Sequence, residues 1–499
     1  SIRGFDYNHF KVALDEGNLD NFNIIGDTIE FQLGSLQIKD EKTQLHVRQL
    51  STFFRISQGG MEFIGLNLDC NKSHISDTII FRYNSQADLS DFNNKVQIDA
   101  RLKNTVLHPE DIAHFTTGLE QWVEPIQLNG HFRGKVAHFT FSPMQASIGS
   151  SMVAGSLEMD GLPVIRETFI NARLKPSRVY MRDLGFLFPE AFTRNLGPLN
   201  QVQLKGNFLG YINDFVADGE MITPFGLVQS DINYKIEETN LRQSAYNGQL
   251  KLTNFEIGRF VGDTVNLQKV TLAGRIKGKG FTKESADFTL AGEIPSIGVR
   301  GYNYSNIHSN AHFANQYFQG DVTIDDPNLQ IAVNGSIDLR PGKDLININA
   351  RLDTMLLHKL HLSKEEIFLQ SKLDIDSRGL SLDSIVGTAH FTNTLIQFRD
   401  ESIKLDSVRI VSENDNGFRD LLLRSSLVDL SLKGNFYYTT MFTDIERLVH
   451  EFMLNIKNDP IAVKKYYSEK RKSEQTYRAV IEANIHDLNP LFQVLDIDL

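Results

Sequence analysis

The sequence predicts an all-β protein with mainly antiparallel strands, and three observations support that prediction. Apolar and polar residues alternate over many segments, which is typical of strands with one apolar and one wet face. Proline is sparse, at 13 of 499 residues, whereas phenylalanine is frequent, at 34. Because proline removes a donor from the hydrogen-bond ladder, its scarcity favours long unbroken strands.

The alternation is clearest in residues 346–353, where isoleucine, alanine and leucine alternate with asparagine, arginine and aspartate. The same period recurs in residues 96–102, 202–208, 428–436 and 479–485. Since side chains alternate across a strand, we predict that the apolar members line one face of a sheet. The predicted face residues are Val96, Ile98, Ala100, Leu102, Val202, Leu204, Phe208, Phe288, Ile346, Ile348, Ala350, Leu352, Leu430, Leu432, Phe436 and Ile481.

Turn signals separate the predicted strands. The clearest is Asp325-Asp326-Pro327-Asn328, which lies between two apolar alternating runs. Aspartate, proline and asparagine favour the backbone angles of tight turns, so a hairpin is predicted there. Comparable signals occur at 340–343 and 414–417.

A diverged repeat is visible in strands that carry the motif Leu-x-Gly-x-(Phe/Ile). Its glycines are Gly130, Gly206, Gly274 and Gly434, which lie 76, 68 and 160 residues apart. A glycine inside a strand predicts a bend or a close backbone approach. Short segments with helical or irregular periodicity recur, so we predict a unit of several strands and one crossing segment, roughly 70–80 residues long. The predicted crossing segments are 109–122, 181–196, 254–260, 355–362 and 486–494.

One region, near 442–475, departs from the strand pattern and predicts a helical insertion. Thr443 and Glu446 form a capping box, and apolar residues then follow helical spacing. Pro460 predicts a second helix start, with proline at the first helical position. Residues 457–478 hold seven Lys or Arg and three Asp or Glu, a local charge of +4. This positive charge fits either a solvated helix face or a contact with lipid headgroups or an acidic partner.

The charge balance and the single cysteine narrow the classes of function. With 51 Lys and Arg against 62 Asp and Glu, the net charge is −11. This balance argues against a nucleic-acid partner and against general binding of anionic membranes. Cys70 alone forms neither an internal disulfide nor a thiolate metal site, and we expect it to be a buried or half-buried small residue.

The chain offers no clear domain boundary. No linker rich in proline, serine or charge divides it, so we predict one continuous array over 1–499. No stretch is long and apolar enough to span a bilayer, and no signal peptide opens the sequence. We therefore expect an internal piece of a longer protein, with any membrane anchor outside this chain.

Catalytic and metal-binding motifs are not found in the sequence, and we predict no enzyme, no cofactor and no metal site. His358 and His361 are spaced for one helical turn, but without a third ligand a solvated turn is the favoured interpretation.

Several aspartates stand close together along the chain. Asp374 with Asp376, and Asp496 with Asp498, are spaced to share a strand face. Because they alternate with leucine and isoleucine, the wet face of a strand is favoured over a calcium site or an acid–base pair. By the same reasoning, Asp325-Asp326 is interpreted as a turn.

Strands with one apolar face must bury that face. They can do so in a sandwich, a solenoid or a curled sheet. A sandwich family of this length is expected to show linkers between domains of about 100 residues. A β-helix would repeat every 20 residues or so. The pattern therefore favours an elongated curled β-sheet groove with short crossing helices. Its apolar wall would suit an acyl chain, since an open apolar trough is costly in water unless it is filled.

Three stretches carry a resemblance to a known family. They are Leu204–Phe215, Tyr246–Gly258 and Val299–Ile307, the last followed by Phe318–Asn328. These stretches resemble the TamB proteins of Bacteroidota, which belong to the AsmA-like group and are similar to the bridge-like lipid transfer proteins with a repeating β-groove (β-taco). The resemblance extends over most of the chain and includes no catalytic motif.

The resemblance implies a periplasmic protein that is anchored to the inner membrane by a segment absent here. It implies conduction of phospholipid to the outer membrane, in support of outer-membrane biogenesis. It also implies a partner in the outer membrane, a TamA-like barrel of the Omp85 class, as in a translocation and assembly module.

Alternative functions remain open at this point. One is an assembly scaffold that helps the Omp85-type partner to insert outer-membrane proteins without transporting lipid. Another is a β-rich adhesin or scaffold whose apolar faces pack on each other. A carbohydrate-active enzyme is disfavoured, because the chain has a single tryptophan and no clustered carboxylates.

Overall fold

The structure is a computed structural model that describes residues 12–40, 45–112, 124–184, 199–237, 239–282, 284–379, 383–399, 401–441, 453, 454, 456, 460–469 and 478–487. The secondary structure of these residues is nearly all antiparallel β, as the alternation predicts. The chain divides into two compact units. The first comprises Ser1–Gly262 and Ala273–Ser285, and the second comprises Asp263–Leu272 and Ala286–Leu499.

The first unit contains fourteen strands that pair antiparallel with their neighbours in sequence, forming an open meander. They are β1 (Val12–Ile25), β2 (Thr28–Asp40), β3 (His46–Ser57), β4 (Gly60–Cys70), β5 (Ser73–Arg82), β6 (Gln97–Leu107), β7 (Ile126–Lys135), β8 (His138–Ile148), β9 (Ser151–Asp160), β10 (Phe169–Tyr180), β11 (Gln201–Tyr211), β12 (Asp214–Thr223), β13 (Gly226–Lys235) and β14 (Ala245–Phe255). The next strand, β15 (Leu267–Lys279), contributes residues to both units.

The second unit repeats this arrangement with eleven strands, again paired antiparallel in sequence order. They are β16 (Asp287–Val299), β17 (Tyr302–Ala314), β18 (Tyr317–Asp326), β19 (Leu329–Asp338), β20 (Leu345–Leu356), β21 (Ile367–Arg378), β22 (Val386–Phe398), β23 (Glu401–Asp415), β24 (Phe418–Ser425), β25 (Val428–Asn435) and β26 (Arg478–Ile485). The predicted turns at 325–328, 340–343 and 414–417 all fall between consecutive strands.

Helices are short throughout the described residues. They include α1 (Phe92–Lys95), α2 (Pro109–Ile112), α3 (Ile257–Val261) and α4 (Pro460–Glu469). Three-residue to six-residue 3-10 helices occur at Gln86–Asp91, Ile165–Glu167, Met181–Leu184 and Leu241–Gln243. None of these helices is long and apolar enough to cross a membrane.

The crossing segments agree in part with the prediction. Residues 109–112, 181–184 and 257–261 are helical as expected. In 355–362, however, β20 continues to Leu356 and a hydrogen-bonded turn follows instead of a helix. The Leu357 N–H donates to the Ile367 carbonyl at 2.9 Å, so the chain turns back at once into β21. Most of 486–494 lies outside the described residues.

The helical insertion is described only in part. Residues 438–441, 453, 454 and 456 are helical, and α4 begins at Pro460 as predicted. The capping box of Thr443 and Glu446 lies outside the described residues.

The repeat motif lies on β7, β11, β15 and β25, and three of its glycines, Gly130, Gly206 and Gly434, allow close approach of neighbouring strands. Gly206 on β11 has a φ of +147°, which only glycine adopts readily. A β-carbon at this position would lie 2.1 Å from the carbonyl oxygen of Asp218 on β12. The close backbone approach predicted from the motif is therefore confirmed at Gly206.

Candidate functional site

The candidate site is one face of the sheet in each unit, which we call the apolar face. In the second unit its members follow from the strand register. Ile348 on β20 lies opposite Gly335 on β19 and Ile375 on β21, and Ile375 lies opposite Ala389 on β22. Because each strand places an apolar side chain or a glycine at the matching position, one apolar row crosses all eleven strands of this unit. The row is Leu290, Ala311, Gly320, Gly335, Ile348, Ile375, Ala389, Ile410, Leu423, Leu430 and Ala483.

The first unit carries an equivalent row across β2 to β14. Ala100 on β6 lies opposite Ile79 on β5 and Phe132 on β7, and Phe208 on β11 lies opposite Ala172 and Ala217. The row is Phe31, Phe54, Phe63, Ile79, Ala100, Phe132, Phe141, Leu157, Ala172, Phe208, Ala217, Ile232 and Gly248.

Fifteen of the sixteen predicted face residues are buried or half-buried. The exception is Ile481, which is 53% exposed on β26 although it lies opposite Leu432. Val96 and Phe436 lie just outside β6 and β25 but are almost fully buried. The buried members are Val96, Ala100, Val202, Ala350, Leu352, Leu432 and Phe436, and the half-buried members are Ile98, Leu102, Leu204, Phe208, Phe288, Ile346, Ile348 and Leu430.

Burial is one-sided along the strands. On β20 the side chains of Ile346, Ile348 and Ala350 are buried or half-buried, whereas Asn347 and Asn349 are exposed. The described helices have ten residues or fewer. One-sided burial favours a sheet that curls toward its apolar face, because side chains on a concave side converge.

An aromatic ladder lies along the apolar face from β2 to β5, and the sequence analysis did not predict it. Phe31 and Phe54 have ring centroids 5.1 Å apart, and Phe54 and Phe63 are 5.0 Å apart. Phe63 contacts Phe81, whose ring lies 5.4 Å from Phe92 on α1. Such pairs stabilise adjacent strands beyond their area burial. Period-two alternation was weak here, because bulges in β3 and β4 interrupt it.

Two short segments cover ends of the apolar face in the second unit. Leu360, in the turn between β20 and β21, is 2% exposed and packs with Leu329 and Leu352. After β25, Phe436 and Met441 form a second cluster with Leu432. The chain itself covers these ends, whereas Ile348, Ile375 and Ala389 in the middle of the face are only half-buried.

The opposite face of the second unit is polar. The Asn349 amide donates to Asp374 at 3.2 Å, and the Asn334 amide donates to Asp321 at 2.6 Å. Asp374 and Asp376 are both exposed, as expected for the wet face of a strand. The two faces therefore differ sharply in polarity, as the alternation predicts.

Two similar hydrogen-bonded clusters hold crossing segments to neighbouring strands in the first unit. We call each a clamp, and each joins a serine hydroxyl, an aspartate carboxylate and two backbone N–H groups. The hydroxyl of Ser73 donates to the buried carboxylate of Asp111 at 2.6 Å, while the His108 N–H donates to that hydroxyl at 2.9 Å. The Lys72 N–H also donates to Asp111, at 3.0 Å.

The second clamp has the same arrangement, and its aspartate, Asp183, lies 72 residues after Asp111. Ser151 donates to Asp183 at 2.8 Å, and the Tyr180 N–H donates to Ser151 at 2.8 Å. The Ser150 N–H donates to Asp183 at 2.9 Å. In both clamps the aspartate lies three residues after the backbone N–H that donates to the serine hydroxyl. It lies at the start of a predicted crossing segment. That spacing is a sequence signal of the repeat that the glycine motif did not include.

Asp326 lies in the predicted turn and also accepts hydrogen bonds from residues of another strand. The hairpin is confirmed, since Asp326 lies opposite Leu329. Its carboxylate is buried and accepts hydrogen bonds from the hydroxyls of Tyr302 (2.5 Å) and Ser305 (2.6 Å). Burial alone would raise the pKa of Asp326, but these bonds and two backbone N–H donors lower it below its usual value.

The single cysteine is half-buried, as expected. Burial, together with the nearby charge of Asp111, raises the pKa of the Cys70 thiol to about 11. Such a thiol is protonated at neutral pH and is a poor nucleophile. On the apolar face of the first unit, burial raises the pKa of Tyr234 to about 12.

The described residues hold no group of three His, Cys, Asp or Glu side chains placed to bind a metal ion. His358 and His361 are both exposed in the turn after β20, where His361 contacts the ring of Tyr302. The site is thus defined by apolar surface and not by a cluster of reactive groups.

In comparisons with known proteins, no family model, no curated protein and no solved structure matches this chain.

Proposed function

We propose that this chain binds phospholipid acyl chains along its apolar face and conducts them between the inner and outer membranes. The observation that carries the proposal is the row of apolar side chains at matching positions on consecutive strands of each unit. A half-buried row of this kind gains free energy when a hydrocarbon chain covers it.

The magnitude is sufficient for a lipid site. At about 0.8 kcal/mol per buried methylene, a 16-carbon chain gains on the order of 12 kcal/mol before the cost of immobilising it. Apolar contact is not directional, so neighbouring positions along the row offer similar affinity. A chain could then move from strand to strand without crossing a high barrier, while the headgroup stays in water.

The proposed cellular setting follows from the resemblance and not from the apolar face. The TamB-like stretches support a periplasmic location, an inner-membrane anchor outside this chain and a TamA-like barrel of the Omp85 class as partner. In this setting the protein acts in outer-membrane biogenesis and is not an enzyme.

Native mass spectrometry with lipid extraction of the purified chain tests lipid binding. We expect several phospholipids per chain. A lipid-free, stable monomer would overturn the proposal, and a scaffold whose apolar side chains satisfy one another would replace it.

Conduction needs a second measurement. Donor vesicles with a fluorescent phospholipid are mixed with unlabelled acceptor vesicles, with and without the chain. A faster transfer rate supports conduction, whereas bound lipid without transfer would reduce the role to storage.

A further inference from the structure

The helical insertion carries apolar side chains on its surface. Met453 and Ile456 are 46% and 61% exposed, and Ile461 on α4 is 81% exposed. Met453 and Ile456 are three residues apart in helical backbone and so share one side of their helix. Exposed apolar side chains are normal when isolated, but three within nine residues of sequence, each in helical backbone, need an explanation.

The stretch of sequence that follows Met453 and Ile456, and that includes Ile461, has a charge opposite to that of the whole protein. Residues 457–478 carry a net charge of +4, in a chain with a net charge of −11. Lys464 is exposed on α4, beside the exposed Ile461. Apolar tips accompanied by lysines are the combination that binds the headgroup region of a bilayer, where the apolar groups insert and the cations meet lipid phosphates.

The chain fixes the start of the insertion firmly. Thr439 donates from its hydroxyl to the carboxylate of Asp383 at 2.5 Å, and Arg419 donates to the backbone carbonyls of Asp383 and Phe436. Arg419 is itself buried and stacks on the ring of Tyr437, 4.8 Å from its centroid. These contacts tie residues 436–441 to β24 and to the loop before β22, so the insertion leaves the sheet from a fixed point.

We propose that the insertion docks on an anionic lipid bilayer through Met453, Ile456, Ile461 and Lys464. An acidic protein would satisfy the positive charge, but it offers no reason for three separate apolar side chains to remain exposed. A bilayer takes up both groups at once. This inference is independent of acyl-chain binding on the apolar face, because it uses different residues and a membrane surface in place of a single lipid.

Vesicle flotation of the full chain tests the docking. Vesicles contain either phosphatidylcholine alone or phosphatidylcholine with one third phosphatidylglycerol. We expect the chain to float with the anionic vesicles only, and the bound fraction to fall as salt rises from about 0.05 M to about 0.5 M. No flotation with anionic vesicles, or equal flotation with both kinds, would overturn the proposal.

Two variants locate the contact. Ile461→Asp and Lys464→Glu should each weaken binding to anionic vesicles by about tenfold, since one loses apolar insertion and the other reverses a charge. Both positions are exposed, so the β-sheet circular dichroism should not change. Val265→Asp is the matched control, because Val265 is 80% exposed but lies far along the chain from the insertion.

Equal loss in Val265→Asp and Ile461→Asp would count against a localised contact. Retention by immobilised polyglutamate without any vesicle binding would assign the surface to an acidic protein and would also overturn the proposal. If vesicles bind while no phospholipid co-purifies with the chain, docking stands and the conduit function fails, so the two ideas are separable.

Discussion

Ile348 on β20 lies directly opposite Ile375 on β21, and the next residue, Asn349, lies opposite Asp374 on the other face of the same two strands. The Asn349 amide donates to Asp374 at 3.2 Å, whereas the two isoleucines meet in the apolar row. These two adjacent positions on one strand therefore face opposite sides of the sheet, next to the same neighbouring strand.

This relationship allows a matched test of the apolar face. Ile348→Asp should lower the amount of co-purified lipid by about one molecule per chain, because a carboxylate among apolar side chains would lose its hydration if an acyl chain covered it. Asn349→Asp should leave lipid binding unchanged, since its added charge stays hydrated. Quantitative lipid extraction from both variants and the wild type gives the answer.

Equal lipid content in Ile348→Asp and the wild type would contradict the assignment of this face. A general loss in both variants would instead indicate a folding defect, which the circular dichroism of each would reveal.

Leu432 is suited to a stability test, because it is 1% exposed within the cluster of Phe436 and Met441. Leu432→Ala should lower the free energy of unfolding by about 2–4 kcal/mol, through lost burial and the cavity left behind. Urea denaturation measures the change. The nearby exposed Asn435, changed to alanine, should shift the unfolding midpoint little, and a comparable shift there would argue against close packing at Leu432.

The clamp of Ser151 and Asp183 should behave as a coupled pair. Ser151→Ala should destabilise the first unit by about 1–3 kcal/mol, because it leaves a buried carboxylate short of a donor. Once Asp183 is changed to asparagine, the serine substitution should cost less. A double-mutant cycle from denaturation curves measures the coupling, and strictly additive effects would show that the hydrogen bond is of no consequence.

Asp326 should make the second unit sensitive to acid. Its pKa in the folded chain lies below the ordinary value of 3.8. A carboxyl with a lowered folded pKa stabilises the fold above its unfolded pKa, and this stabilisation is lost as the pH falls through the folded pKa.

Melting temperatures of the wild type and Asp326→Asn should therefore differ most above about pH 5 and converge as the pH falls through the lowered folded pKa of Asp326. A constant difference over the whole range would mean that the effect of Asp326 does not depend on its charge. Asp325→Asn is the control, because Asp325 is exposed in the same turn.

Much of the fold was predictable from local pattern. The alternation in 346–353 and 428–436 located β20 and β25, and the Asp-Asp-Pro-Asn stretch located the turn between β18 and β19. Gly206 marked a close strand approach because glycine alone tolerates it. The aromatic ladder that contains Phe31, Phe54 and Phe63 was not predicted, because these residues come from three strands whose register depends on bulges.

The sequence by itself determined the class of structure and which side chains share a face, because strand periodicity is a local property of the backbone. It did not determine which strands lie side by side in which register, the division into two compact units, or the partners of buried polar groups. Asp326 looked like an ordinary turn residue until Tyr302 and Ser305, more than twenty positions earlier, were brought to its carboxylate. Only the tertiary structure decides such contacts, because they join residues whose separation along the chain carries no local signal.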